Sequence, residues 1–436
     1  MTNAPAPARE RLEWLDVARV LSALLILGIH WLRACYNVRL FGAGDRTNLV
    51  MDYQGHSGGV RLFHYVLIAG TGHSLSTWLS NLVGLFGGFG WEAVSALIFI
   101  SGFSLALSQR AKRLPLAGWV DWYKKRAKRI LIPYYTVALP LLAICGMAVL
   151  VLQHVHSHIA HVLDVKLLSQ FPTPLAGTIL SHLFLFDPWG VQWAANFFAP
   201  AWWFVPAILL AYLLYPAIRA ASRYRRGIPL LIGAASVTIA SYALSNAGIL
   251  INETWYYIIL QESFNFCFGV VIANVWMGEG RRALERLIDD PRYFALAIAV
   301  FVIGNIVNWM PSLRPVASML YGPSLVVIVA YIGKRIEATV VGRALLKCDS
   351  YDLYLVHQPF AFPIALFAKV AFHAYGIFVG WLVFVAVAVV AANVLSRVQK
   401  FRLARPAPVA VPRTSGERSA AERTPAGERI DVAALR

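Results

Sequence analysis

The chain has 436 residues, of which 58% are hydrophobic and 14% charged, with a formal net charge of +17. Soluble domains run at roughly 45–50% apolar and about 25% charged, so the composition argues against a water-soluble enzyme, a nucleic-acid module or a disordered scaffold. The cations are no nucleic-acid signal, because the 39 Lys and Arg sit almost entirely in short segments between apolar stretches. Cys35, Cys145, Cys267 and Cys348 form no CxxC pair and no disulfide framework.

A bilayer crossing needs ~20 mostly apolar residues. Ten runs qualify: 14–34, 88–108, 130–153, 198–218, 228–247, 255–276, 293–310, 316–333, 351–371 and 377–396. The expected fold is therefore all-α, a polytopic transmembrane helix bundle of about ten spans. The first run is read as a span because Asp16 and Arg19 lie inside it and no small-residue cleavage site follows. With the N-terminus inside, 31 Lys and Arg fall in cytoplasmic segments and 6 on the external side, Arg33 at the end of the first run included. That split follows the positive-inside rule and places both termini in the cytoplasm. The organisation expected is a cytoplasmic segment 1–13, a membrane domain 14–396 and a disordered basic tail 397–436. External loops 35–87 and 154–197 carry apolar pieces, 63–70 and 177–186, too short to span.

Ionisable groups are costly in hydrocarbon, so those inside the runs mark a site or a paired structural contact. In WLDVARVLSALLILGIHWLR, Arg19 and His30 are eleven residues apart, which returns to within ~20° of one helix face, and Asp16 lies within ~60° of it. The helical rise separates Arg19 and His30 by ~16 Å, one towards the cytoplasm and the other towards the external face. An Asp16–Arg19 ion pair with an interfacial His30 is the plain structural alternative.

Glu92 opens GWEAVSALIFISGFSLALS at the expected depth of His30. A carboxylate there would fix the tautomer of an imidazole and raise its basicity for general-base work; buried structural pairing is the alternative. Ser101 projects from the opposite side of the same helix unless Gly102 breaks it. In QRAKRLPLAGWVDWYKKRAKRILIPYY, Arg126 and Arg129 share a face if helical and suit bidentate phosphate recognition, although the cations of this segment also serve topology alone. In SYDLYLVHQPF, Ser350 and His357 share a face with Tyr354 nearby. His357 would lie in the cytoplasmic half, as a cofactor contact or a hydrogen-bonded core histidine. His154, His158 and His161 have helical spacing but only Asp164 beside them, and no metal site is expected. HExxH, P-loop, GxSxG and GxGxxG motifs are absent.

Taken together, these segments resemble the membrane-bound acyltransferase-3 family. Leu15, Asp16, Arg19 and His30 match its LDxxR…H opening, and Ser101, Gly102 and Phe103 match FFxxSGF, with Leu97 and Ile98 replacing the two Phe. Arg126, Arg129, Pro133 and Tyr134 match RxxR before Pro-Tyr, and Trp203, Phe204, Tyr212 and Pro216 match the WF…Y…P element. Ser350, Tyr351, Leu353, Tyr354, Leu355, His357, Gln358 and Pro359 match SYxLYLxHQP. One branch carries a Glu where Ile208 stands, and some members carry a C-terminal esterase-like domain that the tail here cannot contain.

The resemblance implies an O-acyltransferase of the cell (inner) membrane that moves an acyl group, acetyl by expectation, from cytoplasmic acyl-CoA to a hydroxyl of an extracytoplasmic carbohydrate-type acceptor. No permanently bound cofactor is implied, since acyl-CoA is the donor substrate. The expected catalytic residues are His30, as base, and Glu92, as its orienting acid. Arg126 and Arg129 would hold CoA phosphates, Arg19 would line the pantetheine path, and Ser101, Tyr354 and His357 would line the channel. Asp16 and Trp203 would orient their neighbours. Direct transfer and an acyl-histidine intermediate both stay open, as does a homodimer. The alternative from another class is a secondary transporter or flippase of a glycolipid or polysaccharide precursor, which lacks the pair of interrupted helices expected of a transport site.

Overall fold

The computed structural model describes residues 12–37, 74–109, 115–154, 185, 200–249 and 255–403. The helices are α1 (Glu13–Asn37), α2 (Leu75–Gly88), α3 (Gly90–Ser108), α4 (Leu116–His154), α5 (Phe204–Arg223), α6 (Ile228–Asn246) and α7 (Trp255–Gln261). They continue as α8 (Ser263–Met277), α9 (Arg281–Asp289), α10 (Pro291–Val307), α11 (Arg314–Ile336), α12 (Val340–Leu346), α13 (Ser350–Ala371) and α14 (Gly376–Leu403). No strand occurs among the described residues. Most of the segment 154–197 with its histidines, most of 35–87, and the tail beyond 403 lie outside them, and no side chain is described at His154.

Each of the ten apolar runs falls mainly on helix, but among the described residues seven helical stretches are long and apolar enough to cross a bilayer, or eight if a bent pair is one span. That pair is α9 and α10, 78° apart, hinged where Asp290 caps the Arg292 amide at 2.8 Å and Pro291 starts the second helix. The difference from ten has identifiable causes. The run at 255–276 is broken at Glu262 into α7 and α8, each short of a full crossing.

The stretch Phe204–Asn246 is 43 residues long, about 65 Å of helix and over twice a hydrocarbon thickness of ~30 Å. It folds back on itself: Arg225, Arg226 and Gly227 have φ of 43°, 58° and 81°. Ser222 on α5 accepts from Asn274 near the end of α8 at 3.0 Å, and Gly227 packs on Val271. Further along α6, Thr238 donates to the carbonyl of Gln261 at 3.0 Å, at the break before α8 and so at the opposite end of α8 from Asn274. The runs at 198–218 and 228–247 are the two arms of this hairpin.

Two helices start earlier than the apolar runs. Residues 75–88, expected as the end of a loop, form α2, with Ser74 capping the Thr77 amide at 3.2 Å. The reason is packing: Gly28 and Gly87 bring α1 and α2 so close that a Cβ on Gly28 would lie 2.6 Å from the Gly87 Cα. The segment with Arg126 and Arg129, expected as a loop, is the first part of α4, which continues through Pro133 and Pro140.

Lipid tails offer no hydrophobic drive between helices, so their association rests on close van der Waals contact at small residues. The α3–α8 contact shows this reciprocally. A Cβ on Gly269 would come within 3.0 Å of the Phe103 amide and collide with the Phe99 carbonyl, while one on Gly102 would collide with the Phe266 carbonyl. Trp14, Phe103 and Trp276 close this core on one side, and a second core joins α1, α13 and α14 through Trp31, Leu353 and Phe384. Outward-facing apolar side chains such as Leu213, Ile232 and Ile303 cover the surface that a bilayer would contact.

Gly269→Val should therefore destabilise the protein by about 1–3 kcal/mol through overpacking, read as a lower thermal midpoint in detergent. Gly233→Ala, where an added Cβ meets nothing within 4 Å, should be neutral or slightly stabilising.

Candidate active site

Three helices carry most of the expected site. On α1, Arg19 pairs with Asp16 and donates its other branch to Ser104 on α3. Ser104 in turn donates to the Ile100 carbonyl at 2.5 Å, so its oxygen is presented to the guanidinium. Eleven residues beyond Arg19, on the same helix, stands His30.

His30 meets a partner that sequence spacing did not suggest. Its Nδ1 lies 2.9 Å from Nε2 of His357 on α13, with ring centroids 4.9 Å apart. His357 Nδ1 lies 2.6 Å from the Tyr354 carbonyl. A carbonyl only accepts, so His357 carries its proton on Nδ1, and in the neutral ring Nε2 is a bare acceptor. His30 must then donate from Nδ1, which leaves the lone pair on its Nε2. The geometry thereby selects one tautomer for both rings, with His30 Nε2 as the basic atom.

This corrects two expectations. The partner of His30 is His357, not Glu92, and His357 shares the depth of His30 instead of lying apart in the cytoplasmic half. Depth counted from the start of each apolar run assumes that all helices begin at one plane. Helix α13 instead begins beside Arg19, whose guanidinium is within electrostatic reach of Asp349, so eight residues of α13 bring His357 level with His30. A sequence signal existed: His30 and His357 are the two histidines inside the ten apolar runs, and two imidazoles in hydrocarbon satisfy each other.

The motif around His357 also explains its placement. Pro359 has no N–H, so the Leu355 carbonyl loses its helical donor. The Trp202 indole fills the vacancy, donating to Leu355 O at 3.1 Å, and thereby seats the 3₁₀ turn Pro200–Trp203 on α13. Tyr351 donates to the Ile130 carbonyl at 3.0 Å and locks α13 to α4. Asp349 caps the start of α13 on the Tyr351 and Asp352 amides, and Asp352 accepts from Ser396.

An aromatic sequence leads outward from the His pair. Tyr354 is 5.8 Å from His357 and 5.3 Å from Phe204; Trp203 is 6.1 Å from Phe204 and stacks at 6.5 Å on Trp91. Glu92 follows Trp91 and is buried. Ser101 is half-buried on α3, one residue before the Gly102 contact with α8.

A buried acid at the helix break escaped the sequence reading. Glu262 accepts from Ser95 and from Asn265, each at 2.7 Å, and Asn265 also reaches the Ser318 carbonyl at 3.3 Å. It ties α3, α8 and α11 together through a fully enclosed polar contact. Its signal was available, since it is the acid inside the apolar run 255–276.

At the end of α3 remote from Glu92, Arg126 is half-buried and donates to Ser108 at 2.8 Å. Arg129 is exposed, within electrostatic reach of Arg19. Arg19, Arg126 and Arg129 therefore gather along the last turns of α3, and Arg219 of α5 joins them by donating to the Gln109 carbonyl at 2.6 Å.

A family model described as an acyltransferase domain, Acyl_transf_3, matches residues 12–397. The chain belongs to the acyltransferase-3 family. It is a multi-pass membrane acyltransferase. Nothing among the curated proteins or the solved structures matches it. The acyltransferase match spans every helix that supplies the site, from Arg19 on α1 to Asp352 and His357 on α13.

Trp202→Phe should cost this acyltransferase about 1–3 kcal/mol, because the Leu355 carbonyl is left buried without a donor. Pro359→Ala restores a backbone N–H there. Thermal unfolding of the double variant should accordingly show a smaller loss than Trp202→Phe alone; strictly additive losses would remove the indole from that capping role.

Proposed function

We propose that this acyltransferase moves an acyl group, acetyl in the first instance, from acyl-CoA docked at its cytoplasmic side to a hydroxyl of an extracytoplasmic carbohydrate-type acceptor. The observation that supports it best is the hydrogen-bonded His30–His357 pair, which leaves a lone pair on His30 Nε2. In this reading His30 Nε2 takes the proton of the acceptor hydroxyl as its oxygen attacks the thioester carbonyl carbon. The C–S bond breaks, the thiolate of CoA leaves, and the imidazolium returns the proton to sulfur. The products are an ester and free CoA thiol, with every proton accounted for.

His357 is a positioning residue here: it holds His30 in the tautomer a base requires without touching the reacting atoms. Arg126 and Arg129 hold phosphates of the donor, and Arg19, fixed by Asp16 and Ser104, marks the path of the pantetheine arm. The ~16 Å rise from Arg19 to His30 along α1 is the distance over which the thioester is delivered. Tyr354 and Trp203 line the outer approach, where a sugar ring and an aromatic face are complementary, and Glu92 flanks it.

His30→Ala should lower kcat by about 10²–10⁴, the usual contribution of a general base, with acyl-CoA binding intact. His357→Phe should lower kcat with little change in KM, and the double variant should be no worse than His30→Ala, because the two rings act as a unit. Purified protein in nanodiscs, assayed for acyl-CoA turnover, checks both. Full activity of His30→Ala would falsify the assignment. Replacing Arg126 and Arg129 with Ala should raise KM for acyl-CoA while leaving the fold intact.

A further inference from the structure

Two buried donors on the cytoplasmic side have no partner. The Tyr215 hydroxyl on α5 and the Trp122 indole nitrogen on α4 make no hydrogen bond among the described residues, although Tyr215 is 0% and Trp122 6% exposed. Their rings stack, with centroids 5.6 Å apart and planes at 20°. Buried polar groups in folded proteins are bonded in the great majority, so two orphans on one stack call for a bonding partner.

The surroundings say what charge that partner carries. Arg219, Arg126 and Arg223 all lie within electrostatic reach of the Tyr215 phenol. The Arg126 guanidinium sits 5.7 Å over the Trp122 ring, and that of Arg219 sits 5.9 Å over Trp119, itself 6.4 Å from Tyr215. Arg126 and Arg219 are anchored on the end of α3, through Ser108 and Gln109. Three cations around one phenol make this corner electropositive and suit an anionic ligand for the two orphan donors. Trp N–H and arginine N–H groups only donate, and Tyr O–H also donates, which is the donor set of a phosphate site.

The position along α3 distinguishes this cluster from the one nearer the His pair. Arg19 is held at Ser104, and Arg126 and Arg219 at Ser108 and Gln109. The second tier is about one helical turn, ~6 Å, further from His30. A donor whose acyl end lies at His30 passes the first tier before its nucleotide end reaches the second.

We infer that Tyr215, Trp122 and Arg219, together with Arg126, form a subsite for the 3′-phosphate of the CoA nucleotide. The inference rests on the acyl-CoA reading above and adds Tyr215, Trp122 and Arg219 to the donor site. The ribose 3′-phosphate is a monoester that carries close to two charges at neutral pH, and it lies at the end of the donor remote from the thioester. An aromatic stack with two inward donors and flanking guanidinium groups meets both properties.

The test measures binding of acetyl-CoA and of its 3′-dephospho analogue to the full chain in nanodiscs, for wild type, Tyr215→Phe and Trp122→Phe. Tyr215→Phe removes only a hydroxyl that has no partner, so its thermal midpoint should match wild type. Wild type should bind acetyl-CoA at least about tenfold more tightly than the dephospho form, and each variant should lose most of that preference. Equal binding of the two donors by wild type overturns the subsite while leaving the acyl-CoA reading in place. A preference that survives both variants also overturns it, placing the phosphate elsewhere. Binding of neither donor overturns the acyl-CoA reading itself.

Discussion

A polar group enclosed by lipid and protein has only protein to bond to, and this constraint shapes the centre of the molecule. It acts first on the backbone. Pro359 removes one helical N–H from α13, and the deprived Leu355 carbonyl is answered by the Trp202 indole. That one bond brings the turn before α5 onto α13, and with it Trp203 and Phe204 beside Tyr354. It acts next on side chains. His357 donates to the Tyr354 carbonyl and accepts from His30, so each imidazole in the membrane interior is both bonded and fixed in orientation. The same bonds that satisfy the interior therefore leave a single basic nitrogen uncommitted.

Depth is set by the close helix contacts. Gly102 and Gly269 allow α3 and α8 to touch backbone to backbone, and Gly28 and Gly87 do the same for α1 and α2. Helix α3 is thereby held as a fixed ruler between α1 and α8. Along it, Ser95 reaches Glu262, Ser104 reaches Arg19, and Ser108 reaches Arg126. These three hydroxyls turn an otherwise apolar helix into the element on which the polar parts of the site are registered. A shift of one turn in α3 would separate all three pairs at once.

Much of the architecture was legible in the sequence because it depends on runs of residues and not on single contacts. The ten apolar runs fell mainly on helix, and the Asp16–Arg19 pair is the structural alternative that their shared helix face offered. Helix ends were less legible: α2 is held by glycine contacts with α1, and the turn at Arg225–Gly227 depends on backbone torsions that no hydropathy window reports. The site was legible in its members and not in its pairings. His30 and His357 were both named, yet 327 residues separate them, and their meeting depends on where α13 begins beside α1. Trp202, Tyr215 and Arg219 carried weaker signals, since an aromatic or charged residue near a span end reads equally well as an interfacial anchor.

What the sequence by itself determined is the class of molecule. A composition too apolar for water, a strongly uneven distribution of cations and five motifs in order settle a polytopic helical protein of the acyltransferase-3 family, because these properties are carried by local chemistry and survive any arrangement of the helices. What only the tertiary structure decided is which polar group faces which. His357 took the place expected for Glu92, Trp202 capped a carbonyl on another helix, and Arg219 joined the arginines of α4. Such pairings depend on the relative depth and rotation of helices far apart in the chain, and those are fixed by side-chain packing across the whole bundle.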